Sequence, residues 1–118
     1  MRHALLILAA LLLPVPSACG ADLTFFMKNV APRAVVVEFS SAAKGTRWPG
    51  NDQVYLLEKG EKKSVTISCE EGDSICYGAW VNGDDTIVWG VGPDNDRFCE
   101  TCCRICAHEK TEPIVIGE

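Results

Sequence analysis

After Leu13 the chain has no apolar run approaching the ~20 residues that a membrane-spanning helix needs, so no transmembrane segment is expected. Basic runs are missing too: nothing exceeds the pair Lys62-Lys63. Nucleic-acid binding requires a basic patch or stripe, and adsorption to anionic lipid needs clustered Lys or Arg. Both classes are therefore excluded as expectations. None of the four asparagines (Asn29, Asn51, Asn82, Asn95) opens an Asn-x-Ser/Thr glycosylation acceptor. Helical periodicity is almost absent, no stretch repeats at a fixed period, and no segment is of low complexity. Histidine is scarce, with only His3 and His108.

What is present begins at the N-terminus. Met1-Arg2-His3 is followed by an apolar run from Ala4 to Leu13 and by Pro14-Val-Pro-Ser-Ala-Cys-Gly-Ala21. A short basic start, a ten-residue apolar core and small residues at a cleavage point make a secretory signal peptide, residues 1–21. Cleavage is expected after Ala21, with Cys19 as the small residue at minus three. Ser17-Ala18-Cys19 also resembles the end of a bacterial lipoprotein signal, whose cysteine carries a lipid anchor. Pro16 stands where such signals have an aliphatic residue, which makes the anchor at Cys19 the weaker reading. Either reading removes Cys19 from the structural count.

The remaining chain, residues 22–118, is short enough for one domain. Loss of Arg2 leaves ten basic and sixteen acidic side chains, a net charge of −6. Six cysteines remain: Cys69, Cys76, Cys99, Cys102, Cys103 and Cys106. An even count in a short exported chain reads as a disulfide framework in a secreted or periplasmic protein. Domains of this size bury a thin core, so covalent staples are useful.

Short β-rich runs separated by turns fill the rest. Leu23 to Asn29 places Leu23, Phe25 and Met27 on one face. Ala34 to Ser41 contains three consecutive valines, the mark of a strand covered on both faces. Gln53–Leu57 and Ser64–Ser68 flank Glu58–Lys63, expected to be a hairpin with Gly60 in its connection. Ile75–Val81 and Thr86–Val91 flank Asn82-Gly83, a strong hairpin signal because both central positions of a type I′ turn need positive φ. Pro113–Gly117 is expected as a closing edge strand. Six or seven strands of this kind predict an all-β fold, a small antiparallel β-sandwich or open barrel with a cysteine-rich C-terminal segment.

The cysteine cluster Cys99-Glu-Thr-Cys-Cys-Arg-Ile-Cys106 poses three alternatives. Paired C-x2-C units bind zinc when a spacer separates them, but here the two units are joined by one peptide bond. A helical stretch would put the four thiols on one face but spread over ~10.5 Å of rise, too far to converge on one ion ~2.3 Å from each sulfur. A zinc or copper site drawing on Cys99, Cys102, Cys103, Cys106 and His108 is thus an alternative rather than the main reading. Redox catalysis of the C-x-x-C type needs a thiol whose pKa is lowered at a helix N-terminus. Glu100 opposes that, and no βαβ pattern surrounds the pair. The staple reading asks least. Adjacent Cys102 and Cys103 should reach separate partners. Six cysteines allow 15 connectivities; the expected one is Cys69–Cys76 plus two bridges within the cluster.

Other candidate chemistry is thin. His108 lies in a polar tail without a nucleophile-elbow pattern, so no catalytic residue is assigned. Asp84-Asp85 and Asp94-x-Asp96 sit in turns that favour Asp for backbone reasons, and the EF-hand spacing is broken. Trp48, flanked by Arg47 and Pro49-Gly50 in the longest loop, is the expected binding residue together with Arg47, since loop aromatics often anchor partners. The functional expectation is an exported, non-enzymatic binding or structural module without a cofactor, taking a protein or carbohydrate partner. A metal-binding protein and a small secreted enzyme are the alternatives.

Overall fold

The computed structural model describes residues 20–118. The leader and the Cys19 anchor fall on residues outside that range, except for Gly20 and Ala21. Among the described residues ten strands run in order: β1 Gly20–Asn29, β2 Val35–Ser41, β3 Arg47–Trp48, β4 Tyr55–Leu57, β5 Lys62–Glu70, β6 Ser74–Val81, β7 Asp84–Gly90, β8 Cys103–Ile105, β9 Glu109–Lys110 and β10 Ile114–Ile116. A 3-10 turn at Pro93–Asn95 follows β7. The fold is all-β in two sheets, as the spacing of turns and β-formers predicts.

The first sheet has the order β10-β1-β5, with β9 also pairing β1. The second has the order β3-β2-β6-β7, with β4 beside β2 and β8 beside β6. Strict alternation decides which face of each strand is buried. On β1, Leu23, Phe25 and Met27 are buried while Asp22 is exposed. On β5, Val65, Ile67 and Cys69 are buried between exposed Ser64, Thr66 and Ser68. Opposite them, β2 contributes Val35, Val37 and Phe39, and β6 contributes Ile75 and Ala79. Phe25 and Phe39 stack across the sandwich with ring centroids 4.2 Å apart. The closing strand β10 adds Ile114 and Ile116 to this core and pairs with β1 in parallel.

The valine run of β2 is buried on both faces, as its composition suggests. Beside it, the outer face of β6 is covered not by another sheet but by the segment following β7. Val91, Cys76 and Cys102 form a small second core there, with Tyr77, Cys99 and Cys103 packed against it. Gly78 of β6 lets this segment lie directly on the sheet: a Cβ there would sit 2.1 Å from the carbonyl oxygen of Gly92.

Two connections cross between the sheets, the first of them where a hairpin is expected. Strand β4 pairs with β2, whereas β5 pairs with β1, so Glu58–Lys63 arches from one sheet to the other. Fully buried Asn29 clips this arch. Its side-chain amide donates to the carbonyls of Arg33, Leu57 and Glu58, and its Oδ1 accepts from the Ala31 amide at 2.8 Å. The buried groups among these, the Leu57 carbonyl and the Ala31 amide, would otherwise carry a desolvation cost. Residues 70–73 likewise cross between sheets, since β5 and β6 do not pair. By contrast, β6 and β7 form the hairpin that Asn82-Gly83 announces, and Gly83 has φ 86°.

That second arch overturns the expected Cys69–Cys76 bridge. Cys69 faces the main core, while Cys76 lies on the opposite, outer face of the second sheet. The observed bridges are Cys69–Cys106, Cys76–Cys103 and Cys99–Cys102. Only the last lies within the cluster. Cys102 and Cys103 reach separate partners, as expected. The cluster is neither a helix nor a metal knuckle: it is a turn closed by Cys99–Cys102 that runs into β8 at the sheet edge.

Candidate functional site

Arg47 and Trp48 are neighbours in β3, and period-two geometry sends their side chains to opposite faces. Arg47 pairs in register with Ser40, whose neighbours Glu38 and Val36 define the outer face of β2; Trp48 pairs with Phe39, which faces the core. The two expected binding residues therefore belong to different places.

Trp48 is half-buried and packs against the main core. It also borders a cleft of about 580 Å³ at the end of the sandwich, together with Lys44, Ser68 and Glu70. The sequence placed Trp48 in a polar loop with no structural duty; strand pairing gives it one. Trp48→Ala is expected to lower stability by about 2 kcal/mol, below the range for a fully buried aromatic truncation. Chemical denaturation of the variant checks this, and an unchanged midpoint would return Trp48 to a purely exposed role.

Arg47 lies on the other side, in a cleft of about 500 Å³ whose lining includes Glu38, Trp80, Asp85 and Asp94. Its guanidinium donates to Asp94 Oδ1 at 2.6 Å and to Glu38 Oε1 at 3.2 Å. The arginine thus bridges a β2 carboxylate to the segment that covers the sheet. Charge-assisted contacts of this kind fix orientation more than they add stability at exposed sites. Asp94, at φ 57°, is held in the left-handed region that Asp tolerates better than most residues.

Glu38 is the least solvated of these groups, with 13 % of its side chain exposed. Burial pushes its pKa above the ordinary glutamate value; the charge of Arg47 opposes that shift. The ionised carboxylate therefore costs stability at neutral pH, and the cost is relieved as pH falls through the raised folded value toward the unfolded one. Carbon-13 NMR of the Glu38 carboxyl should show a midpoint above that of an ordinary glutamate. Arg47→Ala should move it further up, because the opposing charge is gone. A downward move on losing Arg47 would contradict this balance of burial and charge.

Of these residues the sequence singled out Arg47 but not Glu38 or its link to Asp94. One signal was available. A carboxylate inside Val35-Val-Val-Glu-Phe39, a strand covered on both faces, is costly unless paired, and the pairing marks a site.

The residues of the alternative metal site are engaged otherwise. Cys99, Cys102, Cys103 and Cys106 are all in disulfides, and a disulfide sulfur is not the thiolate that zinc or copper(I) prefers. His108 Nδ1 accepts a hydrogen bond from the Asp22 amide at 3.1 Å. This ties the exposed C-terminal segment to β1. No helix among the described residues is long and apolar enough to cross a membrane. No family model, curated protein or solved structure matches the chain.

Proposed function

We propose that this is an exported, non-enzymatic binding module that takes a small polar ligand, of carbohydrate type, in the cleft around Arg47. The observation that carries the reading is the fixed Glu38–Arg47–Asp94 bridge beside the half-buried indole of Trp80. Specific small-ligand sites combine a concave surface with a few convergent polar groups and apolar or aromatic walls. Here the polar groups are held by one another and by the disulfide-stapled covering segment, so little side-chain freedom remains to be lost on binding. Carboxylates accept from hydroxyls, the guanidinium donates to them, and an indole face covers the apolar side of a sugar ring.

The three disulfides support an oxidising compartment, secreted or periplasmic. The leader-like first residues support the same reading. Binding is tested by screening the oxidised protein against mono- and oligosaccharides, then repeating any positive with Arg47→Ala and Trp80→Ala. Each substitution should weaken binding at least about tenfold, the equivalent of one lost charged hydrogen bond or aromatic contact. A wild-type protein that binds no glycan, or binding that ignores both substitutions, overturns the proposal.

A further inference from the structure

The main core reaches further toward the N-terminus than the expected leader boundary allows. Ala21, the last residue of that leader, is 1 % exposed and belongs to the main core. It pairs with Cys69, and Gly20 pairs with Glu70, extending the β1–β5 ladder to the end of β5. The Ala21 carbonyl oxygen lies 3.7 Å from the sulfur of Cys69 and 3.9 Å from that of Cys106. Gly20 also forms part of the wall of the cleft that holds Trp48. A chain beginning at Asp22 would lose both ladder pairs and the methyl group that shields this bridge.

Cysteine parity points the same way. Three bridges consume all six cysteines from Cys69 to Cys106. A retained, unmodified Cys19 would leave an odd thiol in an oxidising compartment, and against a lipidated Cys19 stands Pro16, where lipoprotein signals carry an aliphatic residue. The bond that keeps Gly20 and Ala21 but discards Cys19 is Cys19–Gly20. It also has small residues at both selecting positions, Ser17 at minus three and Cys19 at minus one.

We infer that the leader is removed by hydrolysis of the Cys19–Gly20 peptide bond, so that the mature protein begins at Gly20 and is not lipidated. Water is the co-reactant: its oxygen goes to the Cys19 carbonyl carbon, leaving a carboxyl group on the leader. The nitrogen of Gly20 takes the proton and becomes the new α-amine. The inference rests on the export reading above. A leader peptidase meets the unfolded precursor, so the fold does not choose the bond by exposing it. What the fold contributes is the penalty of cutting further in.

The test expresses the full chain with its own leader in an exporting bacterial host and measures the intact mass and N-terminal sequence of the exported product. A Gly20 start is the expected result. An Asp22 start or a Cys19 start, with or without lipid, overturns the inference while leaving export intact. A product still beginning at Met1 overturns the export reading as well. In parallel, oxidised chains started at Gly20 and at Asp22 are compared by thermal melting. The shorter chain should melt at least about 4 °C lower or fail to fold. Equal melting temperatures would remove the structural ground and overturn the inference.

Discussion

Reduction of the three disulfides should unfold this domain at 25 °C. Cys69–Cys106 and Cys76–Cys103 join residues 37 and 27 apart in sequence. Loop-closure entropy assigns each about 3.5–4 kcal/mol, against about 1.5 kcal/mol for Cys99–Cys102, which spans three positions. Set against a usual total of about 5–15 kcal/mol for a native domain, loss of the two long bridges removes much of the margin. The placement of the bridges sharpens the expectation. Cys69–Cys106 lies in the main core, and Cys76–Cys103 anchors the covering segment to the outer face of the second sheet.

Circular dichroism with and without reductant is the measurement. The oxidised protein should melt cooperatively, and the reduced protein should lack that transition at room temperature. A chelator at neutral pH should change nothing, whereas a metal-held fold would collapse on chelation. Alkylating the denatured, unreduced chain should label none of the cysteines from Cys69 to Cys106. Replacing Cys99 and Cys102 together by Ser should lower stability far less than replacing either long bridge. A reduced protein that keeps its fold would show that the staples are dispensable.

Gly78→Val should cost about 3 kcal/mol, the upper part of the range for overpacking, and should also disable the Arg47 cleft. The added side chain would begin 2.1 Å from the Gly92 carbonyl oxygen, a main-chain atom with no rotamer to yield. The segment from Val91 to Arg97 must therefore lift off β6. Its docking is otherwise secured by Val91 donating its amide to the Tyr77 carbonyl, while Arg97, donating to the Val91 carbonyl, closes the segment on itself. Lifting it opens the second core and withdraws Asp94 from Arg47.

Two readouts separate these effects. Chemical denaturation reports the stability loss, and the guanidinium NMR signals of Arg47, which donates to Asp94, report whether Asp94 has left the bridge. A destabilised variant with the Glu38–Arg47–Asp94 bridge intact would show that the segment is held by its disulfides rather than by contact with Gly78. An unchanged midpoint would contradict the close approach itself.

Much of the fold was legible in local pattern. Alternation along Leu23–Met27 named the buried face of β1, because successive strand side chains point to opposite sides. The triple valine of β2 marked a strand covered twice. Asn82-Gly83 marked a true hairpin because its backbone demands positive φ, and Pro113–Gly117 marked the closing edge strand. The need for disulfides followed from chain length and cysteine parity. These are properties of neighbours in sequence, which is why sequence carries them.

Partner choice was decided elsewhere. A strand's pattern says which face is apolar but not which sheet it joins, and the polar, glycine-containing connection Glu58–Lys63 serves an arch as well as a hairpin. Once β5 and β6 lie in different sheets, Cys69 and Cys76 point apart, and each finds a half-cystine from the C-terminal segment that folds back later in the chain. The same long-range pairing separates Arg47 from Trp48. Pairing β3 with β2 in this register turns Arg47 toward Glu38 and Trp48 toward the core, and only the covering segment over Gly78 brings Asp94 within reach. Sequence by itself determined the longer strands, their faces and the cysteines available for stapling, but not the short strands β3, β8 and β9, which exist only through their pairing. The tertiary structure alone decided the bridges and the cleft, because both depend on contacts between residues far apart in the chain, chosen by joint burial of all the apolar faces at once.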